Sequence, residues 1–238
     1  MSNDVILLPA YQAGPRLVSL VTELLTASPA ALVVVVDDGS GPDSAPILET
    51  VAGLGCTVLR HGTNRGKGAA LKTGFRHVAA VHPGRDVVAA DADGQHGVTD
   101  ILRVAERVAA TGRLVLGVRR FSGDVPLASR FGNILTRLLF QAATGQPVQD
   151  TQTGLRAYPA ALLDWLQSVP GEQFEYEMNV LLRAAREGHP IEQVDIATTY
   201  LDDNASSHFG ALSDSVRIYA PLLRFMASSA PVASRSHR

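Results

Sequence analysis

The chain is short of several things, and each shortage narrows what it can be. It has a single cysteine, Cys56, so no internal disulfide can form and a reducing compartment is expected. Aromatic residues make up only 5% of the chain, so the 46% that is hydrophobic must build its core mainly from aliphatic side chains. Lysine occurs twice, at Lys67 and Lys72, and the net charge of −2 provides no basic field, so no nucleic-acid partner is expected. The longest apolar run, Ala30 to Val36, falls far below the roughly 18 to 20 residues that cross a bilayer. The N-terminal run Val5–Leu8 has no basic flank and is too short for the apolar region of a secretory signal. A cytoplasmic protein is the expectation.

What is present is alternation. Strands are expected at Val5–Leu8, Leu32–Val36, Cys56–Arg60, Asp86–Ala90 and Leu114–Gly117. Helices are expected between them at Pro15–Thr26, Ser44–Leu54, Lys67–Val81 and Val98–Ala110. Short Val-rich strands without polar alternation are buried on both faces, as in a parallel sheet. Repeated strand–helix units imply a doubly wound, mostly parallel α/β sheet flanked by helices. The second half loses this rhythm, with helices expected at Asn133–Ala143, Ala160–Leu166 and Tyr176–Glu187 and strands at Thr153–Tyr158 and Ile191–Ile196. We expect a catalytic domain over 1–210, an amphipathic helix over 211–229 and a disordered tail over 230–238. From Ala211 to Arg238 four arginines face one aspartate, and such a basic amphipathic C-terminus can lie on an anionic membrane surface or pack on its own domain.

In doubly wound sheets, ligands bind beyond the C-terminal strand ends. The polar clusters of this chain fall there. Asp91-Ala92-Asp93-Gly94-Gln95-His96 follows the run Val87–Ala90. Two carboxylates this close repel unless a cation is shared, and Mg²⁺ or Mn²⁺ commonly bridges one or two carboxylates to substrate phosphates. Gln95 adds a neutral oxygen. The same residues also suit a solvated Asp-Gly turn. Asp37-Asp38-Gly39-Ser40 can accept hydrogen bonds from a base or a ribose, or form a turn before a helix. Asn64-Arg65-Gly66-Lys67-Gly68 opens a helix and suits phosphate, or close helix packing. Its spacing fits neither a P-loop nor a dinucleotide fingerprint. Arg119, Arg120 and Arg130 follow the fifth strand, and arginine pairs bidentately with phosphate. Asp150 precedes Thr151-Gln152-Thr153-Gly154-Leu155-Arg156, while Glu175 and Glu177 begin a helix whose dipole favours acids in any case.

Together these clusters resemble the family 2 nucleotide-sugar glycosyltransferases, most closely the polyprenyl- or dolichyl-phosphate sugar synthases. Six ordered segments over about residues 4 to 210 carry the resemblance: Leu8-Pro9-Ala10-Tyr11, Val36–Ser40, Asn64–Ala70, Asp91–His96, Asp150–Tyr158 and Phe174–Glu177. The resemblance implies a GT-A fold and a hexosyltransferase working on a nucleotide-sugar donor. Pro9, Tyr11, Asp37 and Asp38 would hold the nucleotide, with Lys67, Asp91 and Asp150 also on the donor side. Asp91, Asp93 and Gln95 would hold Mg²⁺ or Mn²⁺. Arg119 and Arg130 would bind the phosphate of a polyprenyl phosphate acceptor at the inner face of the cell membrane. A phosphate oxygen needs no strong base, whereas a hydroxyl acceptor would draw on Asp93 or Asp150. The implied reaction inverts the anomeric carbon by single displacement. Two features depart from the family pattern: His208 stands where relatives carry a lysine after serine, and the C-terminal membrane segments of many relatives have no counterpart here. A glycosyltransferase for a soluble acceptor is the competing reading. A sugar-nucleotide pyrophosphorylase would want a Gly-rich basic loop where Pro9-Ala10-Tyr11-Gln12 stands, and a non-catalytic binding module would not need both Asp91 and Asp93.

Overall fold

The protein is described by a computed structural model over residues 4–119 and 127–197 together with Leu222, with backbone alone for 127–135. The expected C-terminal helix apart from Leu222, which is buried in the core, the tail, Arg120, the Arg130 side chain and His208 lie outside the described residues.

The first half follows the expected alternation. Strands β1 (Val5–Ala10), β2 (Leu32–Asp37), β3 (Thr57–Arg60) and β4 (Val87–Ala89) are joined by helices α1 (Pro15–Ala27), α2 (Ala45–Gly53) and α3 (Lys67–Val81). Helix α4 (Val98–Thr111) leads to β5 (Leu114–Arg119). Local signals set the ends: Pro15 opens α1 with its φ already helical, and Gly112 closes α4 in the left-handed region at φ 61°. Beyond β5 come α5 (Leu127–Thr144), β6 (Arg156–Tyr158), α6 (Leu163–Ser168), α7 (Glu175–Glu187) and β7 (Ile191–Ile196).

The seven strands form one sheet in the order β3-β2-β1-β4-β6-β5-β7. All neighbours pair in parallel except β6, which runs antiparallel to both β4 and β5. Alternate residues of one strand feed two cores. Val5 and Leu7 face Leu71, Phe75 and Val78 of α3 and the residues of α6 and α7. Ile6 and Leu8 face Leu17, Val21 and Leu24 of α1 and Ile101 and Val104 of α4. Burial on both faces is why β1 and β2 read as unbroken apolar runs. Each fully buried side chain of this kind contributes about 1.5–3 kcal/mol relative to exposure.

The reversal of β6 positions the site. Arg156 pairs with Ala89 and with Leu116, so the chain enters β6 at the rim where β4 and β5 end. Residues 150–155 are thereby delivered to the same edge as Asp91 and Arg119. Alternation of apolar runs does not report strand direction, so this reversal has no signature in the sequence.

The opposite rim holds a buried acid. Asp4 is 6% exposed and its Oδ2 has no hydrogen-bond partner. Burial, and then the charge of Asp86, raise its pKa to about 6 against an opposing effect of Arg85. The folded protein therefore keeps a proton that the unfolded chain releases near pH 4, and stability falls as pH rises from there to about 6. Asp4→Asn is expected to raise the unfolding free energy by about 1–2 kcal/mol at neutral pH and to give no gain near pH 4. Urea unfolding at the two pH values checks this; an equal effect at both would contradict it.

Candidate functional site

Five loops meet at the C-terminal ends of β1, β2, β3 and β4 and the start of β6, each carrying a cluster named above. In the β1–α1 loop, Tyr11 is 40% exposed, and Gln12 adopts φ 52°, a left-handed conformation that costs a non-glycine residue about 1 kcal/mol or more. Gln12 N donates to Ser40 Oγ at 2.7 Å, which ties this loop to the one after β2. Pro9 lies within β1, paired with Val36.

Asp37 and Asp38 have different surroundings. Asp37 Oδ1 accepts from Ser40 N at 3.0 Å and stabilises the turn. The carboxylate of Asp38 organises the β3–α3 loop. Its Oδ1 accepts from Arg65 N at 2.9 Å and faces His61 Nδ1 at 2.7 Å, while its Oδ2 accepts from Gly66 N at 2.7 Å. Asp38 thus spends its acceptors within the fold. Packing also accounts for both glycines around Lys67. A Cβ at Gly66 would meet Gln173 and Glu172 O, and a Cβ at Gly68 would meet Tyr176 Cβ, each at 2.5 Å. The start of α3 therefore sits directly against the start of α7, and Lys67 is held between them.

Lys67 is the centre of the site. Its Nζ donates to Asp91 Oδ1 at 2.7 Å and lies 2.9 Å from Glu177 Oε2. Burial by itself would lower the Lys67 pKa, but Asp91 and Glu177 reverse this and hold it above the usual lysine range. Burial likewise opposes the charge on Asp91, yet Lys67 and His96 together hold its carboxyl far below the usual carboxylate range. His96 Nε2 lies 3.4 Å from Asp91 Oδ2, an ion-pair distance without good hydrogen-bond alignment. Beyond Glu177 the charges continue to alternate. Arg156 is 1% exposed and lies 3.6 Å from Glu177 Oε1. Its guanidinium donates to the carbonyls of Thr153, Glu177 and Thr151.

Asp93 differs from Asp91. Its Oδ1 accepts from Gln95 N at 3.1 Å, and burial together with the negative charge of Asp91 raises its pKa. It also lines an open cavity of about 180 Å³ beside Arg16 and Glu23 of α1. That volume is below the roughly 300 Å³ of the smallest ordinary ligand pockets. The donor set suits a hard divalent cation: two carboxylates, one of them destabilised by the other. No cluster of three or more His, Cys, Asp or Glu groups able to hold a metal occurs among the described residues, so other oxygens, such as those of a diphosphate, would have to complete the shell.

On the other flank, Arg119 Nε and Nη2 donate to Asp150 Oδ2 and Oδ1 at 2.7 and 3.2 Å. Arg119 is 28% exposed and Asp150 is completely buried. Residues whose part the sequence did not suggest are Glu177, Arg156 and Gly154. The acids at the start of α7 read as dipole partners, and nothing in their spacing points to Lys67. A Cβ at Gly154 would overlap the Asp91 carboxylate, a contact that only the β6 topology creates.

A carboxylate pair at the end of β4, on a mostly parallel seven-stranded sheet with one reversed strand, defines a GT-A type fold. Residues 5–164 match the family model of glycosyl transferase family 2, and the chain belongs to that family. A UDP-N-acetylglucosamine–dolichyl-phosphate N-acetylglucosaminyltransferase of Methanococcus voltae is 25% identical over 219 residues, 83% of this chain and 86% of that one. A polyprenol monophosphomannose synthase of Mycolicibacterium smegmatis is 27% identical over 224 residues, 88% of this chain and 82% of that one. Among solved structures, glucosyl-3-phosphoglycerate synthase of Mycobacterium tuberculosis, in complex with Mn²⁺, UDP-glucose and phosphoglyceric acid, shares the fold with a TM-score of 0.69. It is 21% identical, and the match covers 94% of this chain and 79% of that one.

Gly154→Ala pushes against the Asp91 carboxylate. If Asp91 holds a divalent cation, the folded variant is expected to weaken binding of UDP or GDP in the presence of Mn²⁺ by about 10–100-fold. Calorimetry on the folded variant checks this, and wild-type affinity would contradict it.

Proposed function

We propose that this family 2 glycosyltransferase moves a sugar from a nucleotide-diphosphate sugar to a polyprenyl phosphate, with inversion at the anomeric carbon, at the cytoplasmic face of the membrane. The observation that supports the reading most is the pairing of two unlike stations on one rim. A carboxylate pair suited to a divalent cation stands at the end of β4, and a braced, partly exposed arginine stands at the end of β5. The M. voltae and M. smegmatis relatives carry lipid-phosphate names and align with more than four-fifths of this chain. Among the described residues no helix is long and apolar enough to cross a membrane. In this reading the amphipathic segment 211–229 would carry Arg217 and Arg224 to the bilayer surface, while Leu222 of the same segment is buried in the core.

In this reading Pro9, Tyr11 and Asp37 line the nucleotide position, and Asp91, Asp93 and Gln95 would hold Mg²⁺ or Mn²⁺ at the donor diphosphate. A divalent cation there supplies Lewis-acid charge that offsets the negative charge building on the leaving diphosphate. Lys67 keeps Asp91 ionised and fixed in place. Arg119, with Arg130, would orient the acceptor phosphate. A phosphate oxygen forms the new bond to C1 as the bond from C1 to the diphosphate oxygen breaks, and that electron pair leaves with the nucleotide. The attacking oxygen is already ionised, so no proton has to be removed.

A soluble phosphorylated acceptor is the second reading. It is favoured by the fold shared with a synthase whose acceptor is phosphoglyceric acid. Both readings place a phosphate monoester at Arg119.

Purified protein incubated with Mn²⁺, labelled UDP-glucose or GDP-mannose, and undecaprenyl phosphate in detergent is expected to carry label into the organic phase. Chelation should stop this and added Mn²⁺ or Mg²⁺ restore it. Asp93→Ala should reduce it at least 100-fold, a loss in line with removing an electrostatic stabiliser of the transition state. The product from an α-linked donor should be β-linked by NMR. Label appearing only on 3-phosphoglycerate would transfer the assignment to the soluble acceptor.

A further inference from the structure

We propose that Asp150 is a positioning residue that holds the Arg119 guanidinium for the acceptor phosphate, and that it takes no proton in the reaction. This rests on the functional reading above and sharpens it. An acid at this place in the chain can be read in two ways, as a general base for a hydroxyl acceptor or as a support for something else. The geometry separates them.

A general base must come within hydrogen-bond reach of the proton it removes. Asp150 is 0% exposed, and both of its oxygens are engaged. Arg119 Nε donates to Oδ2 at 2.7 Å, and Oδ1 accepts from Arg119 Nη2 at 3.2 Å and from Gln152 N at 3.1 Å. A carboxylate held this way has spent its best acceptor directions on a fixed cation. A bidentate fork fixes the plane of the guanidinium as well as its place, which a single contact would not do. The segment around Asp150 is itself held. Arg156 donates to the carbonyls of Thr151 and Thr153 from its buried position, so the loop that carries Asp150 is pinned. Arg119 is therefore held by a fixed carboxylate, and 28% of its side chain is exposed at the rim.

Two consequences follow. A site that immobilises an arginine and offers no reachable base at Asp150 selects an acceptor whose nucleophile is ionised before it arrives, as in a phosphate monoester. The work of Asp150 also passes entirely through Arg119, so removing both should cost no more than removing Arg119 alone.

The test measures steady-state transfer from UDP-glucose or GDP-mannose, whichever the wild type uses, to undecaprenyl phosphate and to 3-phosphoglycerate. Wild type is compared with Asp150→Asn, Arg119→Met and the double variant, each with thermal unfolding recorded. Asp150→Asn is expected to raise the acceptor KM about 10–100-fold with kcat changed less than about fivefold and the pH dependence of kcat unaltered. In the Arg119→Met background the same change should alter kcat/KM less than about twofold. A base would behave otherwise: kcat would fall about 100-fold or more, its pH profile would lose a limb, and the loss would persist without Arg119. That pattern overturns this inference and leaves the functional reading standing. If wild type transfers to neither phosphate acceptor, the functional reading fails and this inference falls with it. If Asp150→Asn is too unstable to assay, the comparison of Arg119→Met with the double variant decides between the two roles.

Discussion

One partly buried ammonium holds this site together. Lys67, 16% exposed, lies between Asp91, just beyond β4, and Glu177, in the first turn of α7. Removing ions from water is costly, and a buried pair is retained only where geometry and further hydrogen bonds offset that cost. Here the chain of charges runs Asp91, Lys67, Glu177, Arg156, with signs alternating along it. The Arg156 end is sealed in the fold by three backbone carbonyls. The Asp91 end keeps 31% of its side chain exposed. The interior end is fixed so that the exposed end has one position, which is what a carboxylate bound for a divalent cation and a diphosphate needs.

The reversed strand makes this arrangement possible. If β6 ran parallel to its neighbours, its entry loop would open on the opposite rim, where Asp4 and Asp86 lie. Running antiparallel, it brings one short segment to the working edge, and three residues of that segment act there in different ways. Asp150 holds Arg119, Gly154 leaves room for the carboxylate of Asp91, and Arg156 anchors the charge chain. The carboxylate beyond β4 and the arginine at the end of β5 are thus both met by a single stretch of backbone. The start of α3 closes against the start of α7 through Gly66 and Gly68, which places Lys67 where both acids can reach it.

Much of this was legible in the sequence. The Val-rich runs of β1 and β2, Pro15 at the opening of α1 and the placing of polar clusters after strand ends gave the alternating half of the fold, because burial on both faces and turn chemistry leave local marks. The ordered motifs gave the family. Other features left no local mark. Asp38 reads as a ligand for a nucleotide, and its oxygens also meet Arg65, Gly66 and His61, contacts that only a folded loop reveals. Glu177 looked like a helix-dipole partner because its lysine lies over a hundred positions away in sequence. Strand direction, and with it the meeting of Gly154 and Asp91, depends on tertiary packing that periodicity does not encode.

The most direct test of the central bridge is a double-mutant cycle on folding stability, because it needs no knowledge of donor or acceptor. Lys67→Met, Glu177→Gln and the double variant would be unfolded in urea alongside the wild type. The account predicts that each single change is destabilising and that the double change costs at least about 1 kcal/mol less than the sum of the singles, since neither partner is then left as an uncompensated buried charge. Additive losses within about 0.3–0.5 kcal/mol would show that the two groups do not interact, and would contradict the account.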